Sequence, residues 1–343
     1  MALWGLVPSS PAVNALVLAV ATAFVWVGSG WLEESAENLA AYYGLPAVVQ
    51  GSVVVAVGSS FPELASVVFA ALAGAFDIGI GAVVGSAIFN VLVIPALSGL
   101  TADDDLSASR AIVYKEAQFY MLAVSALVVT LALAVIYAPG PGPALNGNLT
   151  RPLAMIPLLL YGLYLFIQWQ DVSDADAPGN PSISAPRAWG TLAAGLLVIL
   201  VAVEQLVHAV ESLGGTFGVP EFLLGVTVVA AATSLPDTLV SVQSARDGNG
   251  ATSLGNVFGS NTFDLLVAVP VGVLIVGAVT VNFAVAVPMF AVLTLATILL
   301  FTALRTDLSI TTIESVALLT SYILFVAWVV AETLGVTSLI KGA

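Results

Sequence analysis

Three carboxylates stand among apolar residues, and their neighbours decide what chemistry they can do. Glu63 closes the run Gly58-Ser59-Ser60-Phe61-Pro62-Glu63, and Asp237 closes Ala232-Thr233-Ser234-Leu235-Pro236-Asp237. A second polar cluster follows each: Gly85-Ser86-Ala87-Ile88-Phe89-Asn90 and Gly259-Ser260-Asn261-Thr262-Phe263-Asp264. Proline lacks a backbone donor and crowds the carbonyl four residues back, here that of Gly58 or Ala232. Neighbouring carbonyls, including those of Ala56, Ser59, Ala230 and Thr233, become candidates for an outside partner. Ser86 and Asn90, like Ser260 and Asp264, are four apart and share a helix face. The inventory is hydroxyls, carbonyls, one amide and the carboxylates Glu63, Asp237 and Asp264. Oxygen donors without thiolate or imidazole suit a hard cation such as Ca²⁺ or Na⁺, and not zinc or copper.

Residues 46–98 contain no lysine or arginine, and residues 219–277 contain only Arg246. A carboxylate at the centre of a bilayer is expensive unless compensated. With no protein cation nearby, the compensation must arrive as ions or protons.

The elements that carry these residues are membrane helices. The chain has 343 residues, 59% hydrophobic and 8% charged, with mean hydropathy +1.08. Soluble domains carry about 25% charged residues, so a water-soluble globule is excluded. Long apolar runs such as 153–167 and 284–304 do not alternate, which argues against a barrel. At about 20 residues per crossing, apolar runs and breakers place spans near 12–32, 46–73, 78–99, 112–138, 152–170, 189–212, 219–245, 252–277, 280–304 and 310–332. Cysteine is absent, which removes disulfides and thiolate sites, and the single histidine, His208, cannot make a His-rich metal site. A net charge of −14 does not suit nucleic acid. No protein partner is evident; the partners expected are small inorganic cations and the lipid bilayer.

The longest polar gap, with Pro178, Pro181 and Pro186, reads as a linker (171–188) between five-span halves at 1–170 and 189–343. With both termini outside, Arg110, Lys115, Arg187, Arg246 and Arg305 fall on the cytoplasmic side, and only Arg151 and Lys341 fall outside. That distribution follows the positive-inside rule and sets the linker in the cytoplasm; the cell membrane is the expected location.

The chain also matches itself when shifted by 174 positions. Residues 45–90 lie over 219–264 without a gap, and 15 of the 46 pairs are identical, among them Pro46/Pro220, Gly51/Gly225, Ser60/Ser234, Pro62/Pro236 and Gly85/Gly259. Shared glycine and alanine could arise from membrane composition alone; matched proline, serine and acid at one offset could not. Five spans per copy is odd, so the copies insert with opposite orientation. The fold class expected is an all-α membrane protein of about ten transmembrane helices in two inverted five-helix repeats. Such transporters bind substrate at the repeat interface.

At these residues the sequence resembles the cation/calcium antiporter superfamily, the sodium/calcium exchangers. Gly58–Glu63 with Gly85–Asn90 is similar to its first α-repeat (about 45–98). Thr233–Asp237 with Gly259–Asp264 is similar to the second (about 219–277). The resemblance implies that Glu63 and Asp237 are central Ca²⁺ ligands, aided by the carbonyls of Ser59 and Thr233. It maps Na⁺ sites onto Ala56, Ser59, Ser60, Glu63 and Ser86, and onto Ala230, Thr233, Ser234, Asp237 and Ser260. Asn90 and Asp264 complete the middle, and spans 1 and 6 slide as a gating pair. The activity implied is exchange of Na⁺ for Ca²⁺ by alternating access, with Ca²⁺ export as its direction, and no resident cofactor. Asp237, where many members have glutamate, and the Asn90 form of the first motif look more like the potassium-dependent branch. K⁺-dependent exchange and Ca²⁺/H⁺ exchange therefore stay open.

Other functions fit less well. An intramembrane aspartyl protease using Asp237 and Asp264 needs a Gly-x-Gly-Asp motif, but Thr262-Phe263 precedes Asp264. A passive channel differs from an exchanger in needing no counter-ion. His208, between Glu204 and Glu211, reads as a packing or interface residue, with a proton-sensitive gate as the alternative. Glu37 and Glu211 read as solvated helix-end acids, with an ion entry path as the alternative, and Asp77 reads as a solvated turn residue.

Overall fold

The computed structural model describes residues 10–44, 56–142, 145–170 and 183–337. Helix α1 (Pro11–Tyr42) starts on proline, tolerated in a first turn because no intrahelical donor is needed there. It runs well past the expected end at residue 32, since Glu33, Glu34 and Glu37 all stay helical. Residues 46–55 of the second expected span, and most of the linker, lie outside the described residues. The chain resumes in α2 (Ala56–Ser59), breaks at Ser60 and continues as α3 (Phe61–Ala73). Then come α4 (Phe76–Thr101), a π turn at Ile112–Glu116 leading into α5 (Ala117–Tyr137), and α6 (Arg151–Gln170).

The second half repeats this plan. Helix α7 (Ala185–Phe217) precedes α8 (Glu221–Leu224), a π turn at Gly225–Val229, and α9 (Ala230–Thr233). After a 47° bend comes α10 (Leu235–Arg246). Helix α11 (Gly250–Phe263), a π turn at Asp264–Ala268 and α12 (Val269–Val276) form one span, followed by α13 (Phe283–Arg305) and α14 (Thr312–Thr333). Among the described residues, eight helices are long and apolar enough to cross a membrane, and nine with the bent pair. The molecule is an all-α membrane protein.

The repeat is visible in backbone angles. Gly44 and Gly218, 174 apart, are left-handed at φ 68° and 66°; Gly74 and Gly248 are left-handed at φ 82° and 76°. The breaks match too, with φ, ψ of −88°, 5° at Ser60 and −82°, −1° at Ser234. Pro62 and Pro236 each sit in the first turn after the break, where a missing N–H does no harm.

Two short ribbons, not foreseen in the sequence, tie the connections together. β1 (Leu106–Ser107) pairs antiparallel with β4 (Ser309–Ile310), and β2 (Asn146–Thr150) with β3 (Ala278–Asn282). Each ribbon joins connections separated by an even number of crossings in the ten-span plan, as strands on one face must be.

Two apolar clusters organise the packing. Helix α4 is apolar on every side and almost wholly buried, the pattern of a helix at the centre of a bundle. Helices α1 and α7 instead pack against each other in a second apolar cluster, with Val25, Ile199, Val203 and Leu206 fully buried in it; Ala65 and Ala70 of α3, Ile78 and Ala82 of α4 and Ala232 of α9 join them there. Gly28 and Gly195 make their seam close: a Cβ on Gly28 would lie 2.8 Å from Cγ1 of Ile199, and one on Gly195 would lie 2.8 Å from the Gly28 carbonyl. Asn14 donates to Ser212 Oγ at 2.7 Å near one end, and Trp189 Nε1 donates to the Tyr43 hydroxyl at 3.4 Å near the other. The two helices are antiparallel.

Candidate cation site

Glycine lets the two repeats meet. A Cβ at Gly85 would collide with the backbone of Val226, and one at Gly225 with that of Ile78. Helix α4 of the first copy therefore lies directly on the π turn of the second. The breaks at Ser60 and Ser234 then bring Glu63 and Asp237, each in the first turn of its helix, to the same buried centre. Both carboxylates are fully buried, as are Ser59, Ser60, Ser86, Asn90, Thr233, Ser234, Ser260 and Asp264. Ala230, at the start of α9, is 1% exposed, and Ala56 starts α2.

The two copies make the same contact with their own carboxylates. Ser86 Oγ donates to Glu63 Oε1 at 3.5 Å, and Ser260 Oγ donates to Asp237 Oδ1 at 3.2 Å. Cross-links then join the copies. The hydroxyls of Ser59 and Ser260 lie 3.0 Å apart, Ser234 Oγ donates to Ser86 Oγ at 2.8 Å, and Ser60 Oγ donates to the Ser260 carbonyl at 3.4 Å. Asn90 Nδ2 donates to Asp237 Oδ2 at 3.2 Å and to Asn261 Oδ1 at 3.0 Å. Thr233 stands beside Glu63, and Ser60 stands beside Asp264.

Among the described residues, four oxygens at this centre are buried without a hydrogen-bond donor: Glu63 Oε2, Asn90 Oδ1 and both oxygens of Asp264. Glu63, Asp237 and Asp264 are near enough to repel one another. Buried acceptors are ordinarily satisfied, and a buried charge is ordinarily paired. Here the donors are hydroxyls and amides, and among the described residues no lysine or arginine stands beside them. Among the described residues, no three carboxylate or imidazole groups gather closely enough to hold a metal by themselves. Neutral oxygens must therefore complete any cation shell at this centre.

One expectation changes. The Ala230 carbonyl is not released by Pro236: it accepts from Ser234 N at 3.0 Å and from Thr233 Oγ1 at 3.4 Å. The turn 230–233 closes before the proline, so the chain opens at Ser234 instead. Asn256 and Asn261 were not singled out in the sequence, yet both belong here. Asn256 Nδ2 donates to the Asp237 carbonyl at 3.5 Å and to Ser241 Oγ at 3.1 Å. Asn261 was inside the second motif, but its repeat counterpart is Ala87, so pairing the copies passed over it. Asp77 is not merely solvated: its Oδ1 is buried without a partner, and its carboxylate feels that of Glu221. His208 Nδ1 lies 3.8 Å from Glu211 Oε2, both half-exposed on α7.

The family model described as sodium/calcium exchanger protein matches residues 13–170 and 187–331. The chain belongs to the sodium/calcium exchanger family. The putative antiporter CaxA of Alkalimonas amylolytica is 30% identical over 275 residues, 75% of this chain and 81% of that protein. The sodium/calcium exchanger MaX1 of Methanosarcina acetivorans is 26% identical over 298 residues, 74% of this chain and 81% of its own length. A solved structure of the sodium-calcium exchanger NCX_Mj superposes with a TM-score of 0.62 at 23% identity, covering 93% of this chain and 99% of that one. That likeness concerns the fold. The family is one of membrane transporters that exchange inorganic cations, and cation/Ca²⁺ antiport is the activity that membership gives this chain.

Proposed function

We propose that this protein exchanges Na⁺ for Ca²⁺ across the cell membrane by alternating access, exporting Ca²⁺. The observation that carries this reading is the set of four donor-less oxygens around two mirror-placed carboxylates. A Ca²⁺ takes six to eight oxygens, carboxylate and neutral together, and that mixture is present. In this reading Glu63 and Asp237 hold Ca²⁺ with the carbonyls of Ser59 and Thr233. Sodium takes flanking places among Ser59, Ser60, Glu63 and Ser86, with the backbone of Ala56, and among Thr233, Ser234, Asp237 and Ser260. Asn90 and Asp264 close the middle.

Coupling follows from charge. An empty site leaves like charges buried together, so moving it past the apolar seam is unfavourable. One Ca²⁺ or several Na⁺ neutralise it. Helices α1 and α7 slide as a pair across the other spans; each half, 1–170 and 189–343, contributes one of them, with both termini outside and the linker 171–188 in the cytoplasm. The test is uptake of ⁴⁵Ca²⁺ into proteoliposomes loaded with Na⁺, K⁺ or acidic buffer. Uptake with internal Na⁺ alone is the expected result. Uptake driven only by a proton gradient, only when K⁺ is present, or with no counter-ion overturns it.

A further inference from the structure

Glu33 lies on α1, outside both repeat motifs, and the exchange mechanism above gives it no task. A Cβ on Gly58 would sit 3.7 Å from Cγ of Glu33, an ordinary contact, so this side chain crosses the backbone just before the break at Ser60. Helix α1 also packs on α9 and α10, and the carboxylates that bear on Glu33 are those of Asp237 and Glu37. Its Oε1 is buried without a donor, while the residue as a whole is partly open to the surface. On the far side of the same break is Glu63, fully buried and with Oε2 unpartnered.

The inverted repeat supplies a control within the molecule. The counterpart of Glu33 on α7 is Val207, and that of Gly58 is Ala232. Both are buried in one apolar cluster. Among the described residues, the two positions that correspond to Glu33 and Gly58 are therefore apolar, where the first copy has a carboxylate. Two access routes related by the repeat differ at this point.

We infer that Glu33 is a transit ligand on one of the two access routes, a carboxylate on the sliding helix that collects Ca²⁺ from water and passes it across Gly58 to Asp237. The inference rests on the proposed exchange. It predicts an effect on one face only, that of the α1 C-terminus, where Tyr43 bonds Trp189 at the start of α7. A residue that merely supported the fold would act on both faces alike.

The experiment measures the Ca²⁺ dependence of Na⁺-driven exchange in right-side-out and in inverted vesicles from expressing cells. The chain has no cysteine, so an impermeant label on Ser184→Cys locates the α1 C-terminal face. Glu33→Gln, nearly isosteric, should raise the half-saturating Ca²⁺ on that face about three- to tenfold, the size expected when a partly solvated carboxylate contact is lost. The opposite face should be unchanged. Glu33→Asp should recover part of the loss, and Glu34→Gln, at an exposed neighbouring position, should change neither face. Equal shifts on both faces, a shift on the opposite face alone, or no shift on either overturns the inference. If the unaltered protein shows no Na⁺-dependent flux in either vesicle, the exchange reading falls and takes this inference with it. If the unaltered protein exchanges normally and Glu33→Gln matches it, the inference alone falls.

Discussion

Asn261 donates its side-chain amide to the main-chain carbonyl of Ala87 at 3.3 Å, and the two residues hold the same place in the two copies of the repeat. A residue touches its own counterpart only near the axis relating the copies. The axis therefore passes between α4 and α11, at the crossing where Asn90 and Asn261 also bond. The carboxylates Glu63 and Asp237 are disposed about this crossing. Asn261→Ala deletes the bonds to Ala87 and Asn90 and should destabilise the detergent-solubilised protein by about 1–3 kcal/mol. An unchanged melting temperature would show that the crossing is held by apolar packing alone.

Close approach of the copies depends on missing side chains. Gly85→Ala and Gly225→Ala each force a methyl group into facing backbone, which cannot step aside as a flexible side chain can. Each should lower stability by about 1–3 kcal/mol or more and reduce exchange. Gly30→Ala, inside α1 with nothing within 4 Å of the added carbon, should leave exchange unchanged and lose no stability, since alanine is the better helix former. Equal losses from Gly30→Ala and Gly85→Ala would mean that the close approach of the repeats is not what is being read.

Like charges buried together work against the fold when no cation is bound. Glu63→Gln and Asp237→Asn should each raise the melting temperature in chelator, by about 1 kcal/mol or more of relieved repulsion. Ca²⁺ at a hundredfold excess over its dissociation constant should stabilise the unaltered protein by about 2.7 kcal/mol and the variants far less. Variants that melt lower in chelator and still gain from Ca²⁺ would place the binding elsewhere.

The pairing of α1 with α7 can be probed by covalent tethering, because the chain carries no cysteine of its own. Asn14 Nδ2 and Ser212 Oγ lie 2.7 Å apart. A disulfide between Asn14→Cys and Ser212→Cys should form on mild oxidation and leave exchange above half of its reduced rate, since the two helices move together. Loss of exchange on oxidation, restored by reductant, would mean that α1 and α7 slide past each other instead.

Much of this architecture could be read in the residues, for identifiable reasons. Proline leaves a local mark, so the breaks at Ser60 and Ser234 fall within the motifs that announced them. Left-handed glycines repeat at one offset, so the second copy follows from the first. What the residues concealed depends on other parts of the chain. The expected end of α1 at residue 32 is where the apolar run stops, but the structure keeps Glu33, Glu34 and Glu37 helical and sets Glu33 against Gly58. The ribbons β1–β4 and β2–β3 join connections far apart in sequence, and two to five residues carry too little pattern to be recognised as strands. Asn261 acts at the symmetry axis, where one residue serves both copies, so a search for matched pairs overlooks it.

The most direct test of the central claim is equilibrium binding of ⁴⁵Ca²⁺ to the purified protein, titrated with Na⁺ and repeated with Glu63→Gln and Asp237→Asn. If the mirrored carboxylates take their countercharge from transported cations, the unaltered protein binds Ca²⁺ saturably, Na⁺ displaces it, and either substitution abolishes the binding. Saturable binding that survives the double substitution, or that Na⁺ leaves untouched, would contradict the account.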